Sequence, residues 1–207
     1  MKFDGSFKLL GQFNVTGLQQ KISSFDETEW HKMSWKERRG KEHSCTQTIP
    51  ILFDSDFRHI NPTRHSTIDT IDDEFKSLRS FMEEYYGDRT GYFIRMIIVR
   101  MNPQSEIPLH YDTGSSLPYA HRIHLPVKTN DAIIFQVGGE SKNLKNGELW
   151  EINNQRQHGV QNLSDEARIH IIMDWVTSDL IALRKTELGI EINEVGTPPK
   201  ADSRVSR

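Results

Sequence analysis

The sequence predicts a mainly β protein, an antiparallel sandwich or jelly roll with helices on its N-terminal side and one helix at its C-terminal side. Three observations predict it. Five short segments between residues 92 and 176 are rich in β-branched and aromatic residues, and they are separated by turn chemistry. The clearest amphipathic helix pattern lies before them. At 207 residues the chain is the size at which sandwiches and barrels form one domain.

In chain order, Leu18, Ile22 and Phe25 recur at spacings of four and three, as on one face of a short helix. Thr46 to Phe53 reads as a strand, and the polar run from Asp54 to Thr70 around Asn61-Pro62 as a loop. A helix follows, with Thr70 as its cap, Asp72, Asp73 and Glu74 in its first turn, and an apolar stripe of Phe75, Leu78, Phe81, Met82 and Tyr85. Gly87 stops it. From Gly91 the pattern becomes extended, with strands expected at Tyr92–Met101, Arg122–Val127, Ala132–Val137, Glu148–Ile152 and Arg168–Val176. Asp179 to Leu188 reads as a closing helix. The expected organisation is an N-terminal elaboration over 1–90, a core over 91–190 and a flexible tail over 191–207, as one domain.

Composition narrows the function. With 26 Lys+Arg against 29 Asp+Glu the formal charge is −3, so no basic excess exists to drive nucleic-acid binding. The lone Cys45 excludes an internal disulfide and a thiolate-rich metal site, so any metal must be held by nitrogen and oxygen. An acid stands near the N-terminus where a signal peptide would be basic, and no apolar run approaches the ~20 residues of a membrane span. The expectation is a soluble, cytoplasmic protein with no nucleic-acid or membrane partner. Nine histidines are then conspicuous.

In Pro108-Leu109-His110-Tyr111-Asp112, the histidine and acid are two apart and leave one face of an extended segment. His158 follows 48 residues later, in Gln157-His158-Gly159. Two imidazoles and one carboxylate make the facial triad, which leaves positions open for a chelating cosubstrate and dioxygen and suits Fe(II). The alternative is a hydrogen-bonded loop pair and a turn histidine. Arg168 opens a strand otherwise built for burial. It would either grip a dicarboxylic cosubstrate such as 2-oxoglutarate or pair with Asp174 or Glu166. Arg122 and His124 share a face of another strand and offer further donors, while His124 and His170 also fit as core histidines.

Pro108-Leu-His110-Tyr-Asp112, Arg122-Ile-His124-Leu-Pro126, Gly147-Glu-Leu-Trp150, His158-Gly-Val-Gln-Asn162 and Arg168-Ile-His170, in that order, resemble the aspartyl/asparaginyl/proline β-hydroxylase family of Fe(II)/2-oxoglutarate-dependent dioxygenases. The resemblance runs from about Arg95 to Trp175 and, less regularly, includes Trp30, Trp35 and His43 to Ile51. It implies a double-stranded β-helix, cupin-like fold. It implies His110, Asp112 and His158 as iron ligands, Arg168 as the anchor of 2-oxoglutarate, and His124 and Arg122 as contacts to cosubstrate or substrate. The reaction implied is hydroxylation of an unactivated C–H bond in an amino acid, or in an Asp, Asn or Pro residue of a peptide or protein. 2-Oxoglutarate and O2 become succinate and carbon dioxide. Asp112 resembles the soluble microbial amino-acid hydroxylases; the membrane-anchored animal members lack that carboxylate. Asn162 and the strand histidines are candidates for orienting the ligands, Trp150 and Glu148 for closing a turn. Trp30, Trp35 and the 36–39 patch are either a substrate lid or a solvated face. Two rivals have different chemistry: a cupin-like binding module without catalysis, which would not need all four residues, and a zinc hydrolase, for which no general base like that of HExxH stands beside the triad.

Overall fold

The computed structural model describes residues 3–31, 33, 44–53, 62–112, 117–180 and 182. Trp35, the 36–39 patch, His43, Asn61, most of the closing helix and the 191–207 tail lie outside the described residues; residues 178–180 are helical.

Among the described residues, ten strands form two antiparallel sheets. They are β1 (Phe7–Gln12), β2 (Thr46–Leu52), β3 (Tyr92–Met101), β4 (Ser105–His110), β5 (His121–Lys128), β6 (Ile133–Val137), β7 (Glu140–Lys142), β8 (Glu148–Ile152), β9 (His158–Asn162) and β10 (Arg168–Val176). The major sheet runs β1-β8-β5-β10-β3-β2 and the minor sheet β4-β9-β6-β7. This is the jelly roll the sequence predicts. The strands expected from residue 92 onward are found within one residue at each end. The edge strand β1 and the site strands β4 and β9 were not expected, because they carry little apolar alternation: in β1 only Leu10 is buried, and in β4 only Ile107.

Among the described residues, four helices precede β3: α1 (Thr16–Ser23), α2 (Glu27–His31), α3 (Thr67–Thr70) and α4 (Asp72–Tyr86). Thr70 does not cap α4, contrary to the sequence expectation. It closes the separate turn α3, and Ile71 occupies the cap position with no side-chain hydrogen bond. Two of the acids of the first turn are held, Asp72 by Lys76 and Glu74 by Lys21. Gly87 ends α4 at φ 64°, the left-handed conformation that favours glycine.

The helices pack on the outer face of the major sheet, where Leu18, Ile22, Trp30, Leu78 and Met82 meet Met96, Ile98, Ile123, Leu125 and Met173. A second core, with Met101, Ile107, Phe135, Val137, Ile152 and Val160, fills the space between the sheets. The central strands β3, β5 and β10 are therefore buried on both faces. On such strands a charged or polar side chain is expensive unless something compensates it. Yet their inner faces carry Arg95, Arg122, His124, Arg168, His170 and Asp174, all buried.

Candidate metal centre

The fold brings the three sequence-predicted ligands together from the minor sheet. His110 ends β4 and is the register partner of His158, which opens β9. Their rings lie 4.5 Å apart between centroids. Asp112 lies two residues past the end of β4, beyond its ladder. One donor atom from each of His110, Asp112 and His158 lies within 4.8 Å of the others.

Both histidines are oriented by backbone carbonyls. Nδ1–H of His110 donates to the Pro108 carbonyl at 2.8 Å, and Nδ1–H of His158 to the Arg156 carbonyl at 3.0 Å. A carbonyl only accepts, so each ring carries its proton on Nδ1 and turns Nε2 towards the site. Burial pushes the His158 imidazole below its ordinary range, which keeps it neutral and able to ligate. For Asp112 burial acts to raise the pKa, but its charged neighbours, the Arg122 guanidinium foremost and Arg95 beyond it, outweigh it and hold the carboxyl well below the ordinary range. Its Oδ2 lies 2.7 Å from Arg122 Nη1 and 3.6 Å from His158 Nε2, yet is buried with no directed hydrogen bond. A carboxylate oxygen buried without a directed partner beside two Nε2-presenting imidazoles fits a divalent metal, and the N/N/O donor set fits Fe(II).

Arg168 is 1% exposed and has no carboxylate partner among the described residues. Asp174 is taken by Arg95 and Arg122, and Glu166 pairs with Lys128 instead. Arg168 Nη2 donates to Nδ1 of His170 at 2.6 Å, so the proton of His170 sits on Nε2. Arg168 Nε, His170 Nε2 and both ring nitrogens of His124 are buried without hydrogen-bond partners. Burial lowers the Arg168 guanidinium to about 9, and burial followed by the charge of Arg168 drives both imidazoles well below their ordinary range. The guanidinium also lies 5.5 Å from the Phe135 ring centre, with His124 edge-on to the same ring. Unmatched donors around a buried cation are what a bound carboxylate would satisfy.

Arg122 stands apart from this group. Its Nε donates to Asp174 at 2.5 Å and its Nη1 faces Asp112, so most of its donors are committed to protein carboxylates. His170, left between core and pocket by the sequence, lies against Arg168. Asn162 does not orient a ligand. Its amide donates to the Asn102 and Glu166 carbonyls and its Oδ1 accepts from Ser164, tying turns together. Trp150 donates to Glu148, which also accepts from the backbone of Lys145 and closes that turn. Sequence reasoning missed the two orienting carbonyls, which no side-chain pattern reveals, and Arg95, whose partner Asp174 is identifiable only from cross-strand register.

A cleft of about 510 Å³ opens elsewhere, beside the C-terminal end of α4, lined by Lys8, Tyr86, Asp88, His121 and Glu151. None of the three convergent residues borders it. Among the described residues, no helix is long and apolar enough to cross a membrane.

Comparison with solved structures agrees with this fold. An oxidoreductase of the 2OG-Fe(II) oxygenase family from Burkholderia pseudomallei is 15% identical, with 80% of this chain and 91% of that one covered and a TM-score of 0.52. The viral collagen prolyl hydroxylase vCPH of Paramecium Bursaria Chlorella virus-1, in its 2OG complex, is 12% identical over 83% of this chain and 96% of that one, with a TM-score of 0.52. The nickel complex of the non-heme monooxygenase ThoJ is 13% identical over 83% and 74%, with a TM-score of 0.51. At these identities the likeness is one of fold. No curated protein sequence matches the chain. The sequence profile of the Aspartyl/Asparaginyl beta-hydroxylase family, however, matches residues 14–177, most of the chain. With a jelly-roll fold and that profile spanning both of its sheets, the chain belongs to the aspartyl/asparaginyl beta-hydroxylase family.

Proposed function

We propose that the protein is an Fe(II)- and 2-oxoglutarate-dependent hydroxylase acting on a C–H bond of an amino acid, or of an Asp, Asn or Pro residue in a peptide or protein. The observation that carries this reading is a conjunction inside one jelly roll: His110, Asp112 and His158 converge, and Arg168 is buried between the same sheets with no carboxylate partner among the described residues. A site for metal alone would not need the second feature.

His110, Asp112 and His158 would hold the iron, and Arg168, with donors from His170 and His124, the distal carboxylate of 2-oxoglutarate. Fe(II) bound there supplies the activation of dioxygen that couples 2-oxoglutarate and a C–H bond to succinate, carbon dioxide and a C–OH product. The chain's own residues orient and exclude. The Pro108 and Arg156 carbonyls fix the ring tautomers. Ile107, Phe135, Val137 and Val160 wall the interior with apolar surface and keep bulk water from it. His110 and Asp112 are only half-buried, so the site is reached from the end of β4, where Leu109 and Tyr111 are 52% and 56% exposed.

The test is aerobic conversion of 2-oxoglutarate to succinate by the Fe(II)-loaded protein, with free amino acids and Asp-, Asn- or Pro-containing peptides added in turn. Turnover stimulated by one of these classes, and lost in His110→Ala, is the expected result. A metal-loaded protein that consumes no 2-oxoglutarate with any of them contradicts the proposal.

A further inference from the structure

Arg95 on β3, Asp174 on β10 and Arg122 on β5 form a row across the inner face of the major sheet. Asp174 is the register partner of Arg95 on one side and of Arg122 on the other. Arg95 Nε donates to Oδ2 of Asp174 at 2.5 Å and Arg122 Nε to Oδ1 at 2.5 Å. Side-chain exposures are 9%, 0% and 5% along the row. Two cations around one anion leave the row with one positive charge in excess, and an uncompensated buried charge is strongly destabilising. The balancing charge comes from the other sheet. Arg122 Nη1 lies 2.7 Å from Oδ2 of Asp112, which closes a buried chain of two cations and two anions.

We infer that Arg122, locked in place by Asp174 and Arg95, is a positioning residue that holds the Asp112 carboxylate against the two histidines. The inference rests on the iron-centre reading above. Asp112 needs such a hold because no ladder hydrogen bond of β4 reaches it. Arginine suits the task because its guanidinium is a planar fork. Nε on Asp174 fixes the plane, and the fixed plane keeps Nη1 within ion-pair distance of Asp112 while leaving its Oδ2 without a directed hydrogen bond. Arg95 occupies the other oxygen of Asp174, so that carboxylate cannot turn and release Arg122. Two of the three buried arginines of the interior thus divide the work. Arg122 has its donors committed to carboxylates of the protein, and Arg168 has an unmatched Nε and no acid beside it. This places Arg122 with the metal ligands, where the family resemblance implied a contact to cosubstrate or substrate.

The test needs no turnover. Co(II) binding is measured by calorimetry and by its visible d–d absorption in wild type, Arg122→Gln, Asp112→Asn and the double variant, without 2-oxoglutarate. Arg122→Gln is chosen because it leaves Arg95 and Asp174 as a neutral pair in the sheet. Removing a positive charge beside a cation site strengthens binding on Coulomb grounds alone, so weakened binding is the signature of lost orientation. The expected result is ~10–100-fold weaker Co(II) binding in Arg122→Gln with an altered absorption band. In the Asp112→Asn background the same substitution adds nothing, because the arginine acts through that carboxylate. Unchanged or tighter binding in Arg122→Gln, or an effect undiminished in the Asp112→Asn background, overturns the inference. If near-ultraviolet circular dichroism shows Arg122→Gln unfolded, Arg122→Lys is judged by the same outcomes, since it keeps the charge and loses the fork. If wild type does not bind Co(II), or binds it equally well as His110→Ala, the iron-centre reading fails and this inference with it.

Discussion

A guanidinium buried without a carboxylate beside it destabilises a fold, because water is lost and nothing of opposite charge replaces it. Arg168 is in that position: its Nε is unmatched, and burial alone accounts for its lowered pKa of about 9. His170 and His124 are held neutral by the same burial and by the charge of Arg168, and add donors without acceptors. The arrangement makes sense if an anion completes it. In the absence of 2-oxoglutarate, Arg168→Met should therefore stabilise the protein, by about 1–3 kcal/mol, the usual penalty of one unsatisfied buried polar group. The same substitution should abolish 2-oxoglutarate binding. Urea unfolding of the two proteins without cosubstrate checks the first part, and a less stable Arg168→Met protein would show that Arg168 holds the fold together.

At the scale of elements, the site depends on how closely β4 and β9 approach. Gly159, beside His158, makes that approach possible. A Cβ there would lie 2.7 Å from the Ile107 carbonyl oxygen and 3.1 Å from backbone atoms of Pro108 and Leu109, with no flexible side chain to yield. Gly159→Ala should push β4 away, destabilising the fold by about 1–3 kcal/mol, and should also weaken metal binding by separating His110 from His158. Co(II) affinity measured beside thermal stability checks this. An affinity equal to wild type would mean the strand spacing does not set the site.

The same two strands explain what was legible in the sequence. β3, β8 and β10 announce themselves because their residues are chosen for burial. β4, Ser-Glu-Ile-Pro-Leu-His, and β9, His-Gly-Val-Gln-Asn, are short and polar, with a proline in one and a glycine in the other. They carry the two candidate-ligand histidines, whose residue types stand out in the sequence more than the strands that bear them. The spacing of His110 and Asp112 identified a pair. That Arg122 turns to Asp112 and Asp174 was not legible, because cross-strand partners follow from register and register is a property of the folded sheet.

For the whole molecule, the major sheet is buried twice, by helices outside and by the minor sheet inside. The outer core, with Leu18, Ile22, Leu78 and Met82 against β3, β5 and β10, stabilises the fold by apolar burial alone, at roughly 1.5–3 kcal/mol for each large side chain. That stability offsets the charged and unmatched groups on the inner face. The fold thus separates a stabilising face from a chemical face on the same strands, and the N-terminal helices serve the site without touching it. The central claim is that the space between the sheets holds Fe(II) through His110, Asp112 and His158 from the minor-sheet side, and 2-oxoglutarate through Arg168 on the chemical face of the major sheet. Its most direct test is anaerobic addition of Fe(II) and 2-oxoglutarate, followed by the visible charge-transfer band of their chelate. A band in wild type, its loss in His110→Ala and a raised 2-oxoglutarate requirement in Arg168→Ala are the result this account predicts. A wild-type protein without the band, or a band unchanged in both variants, would contradict it.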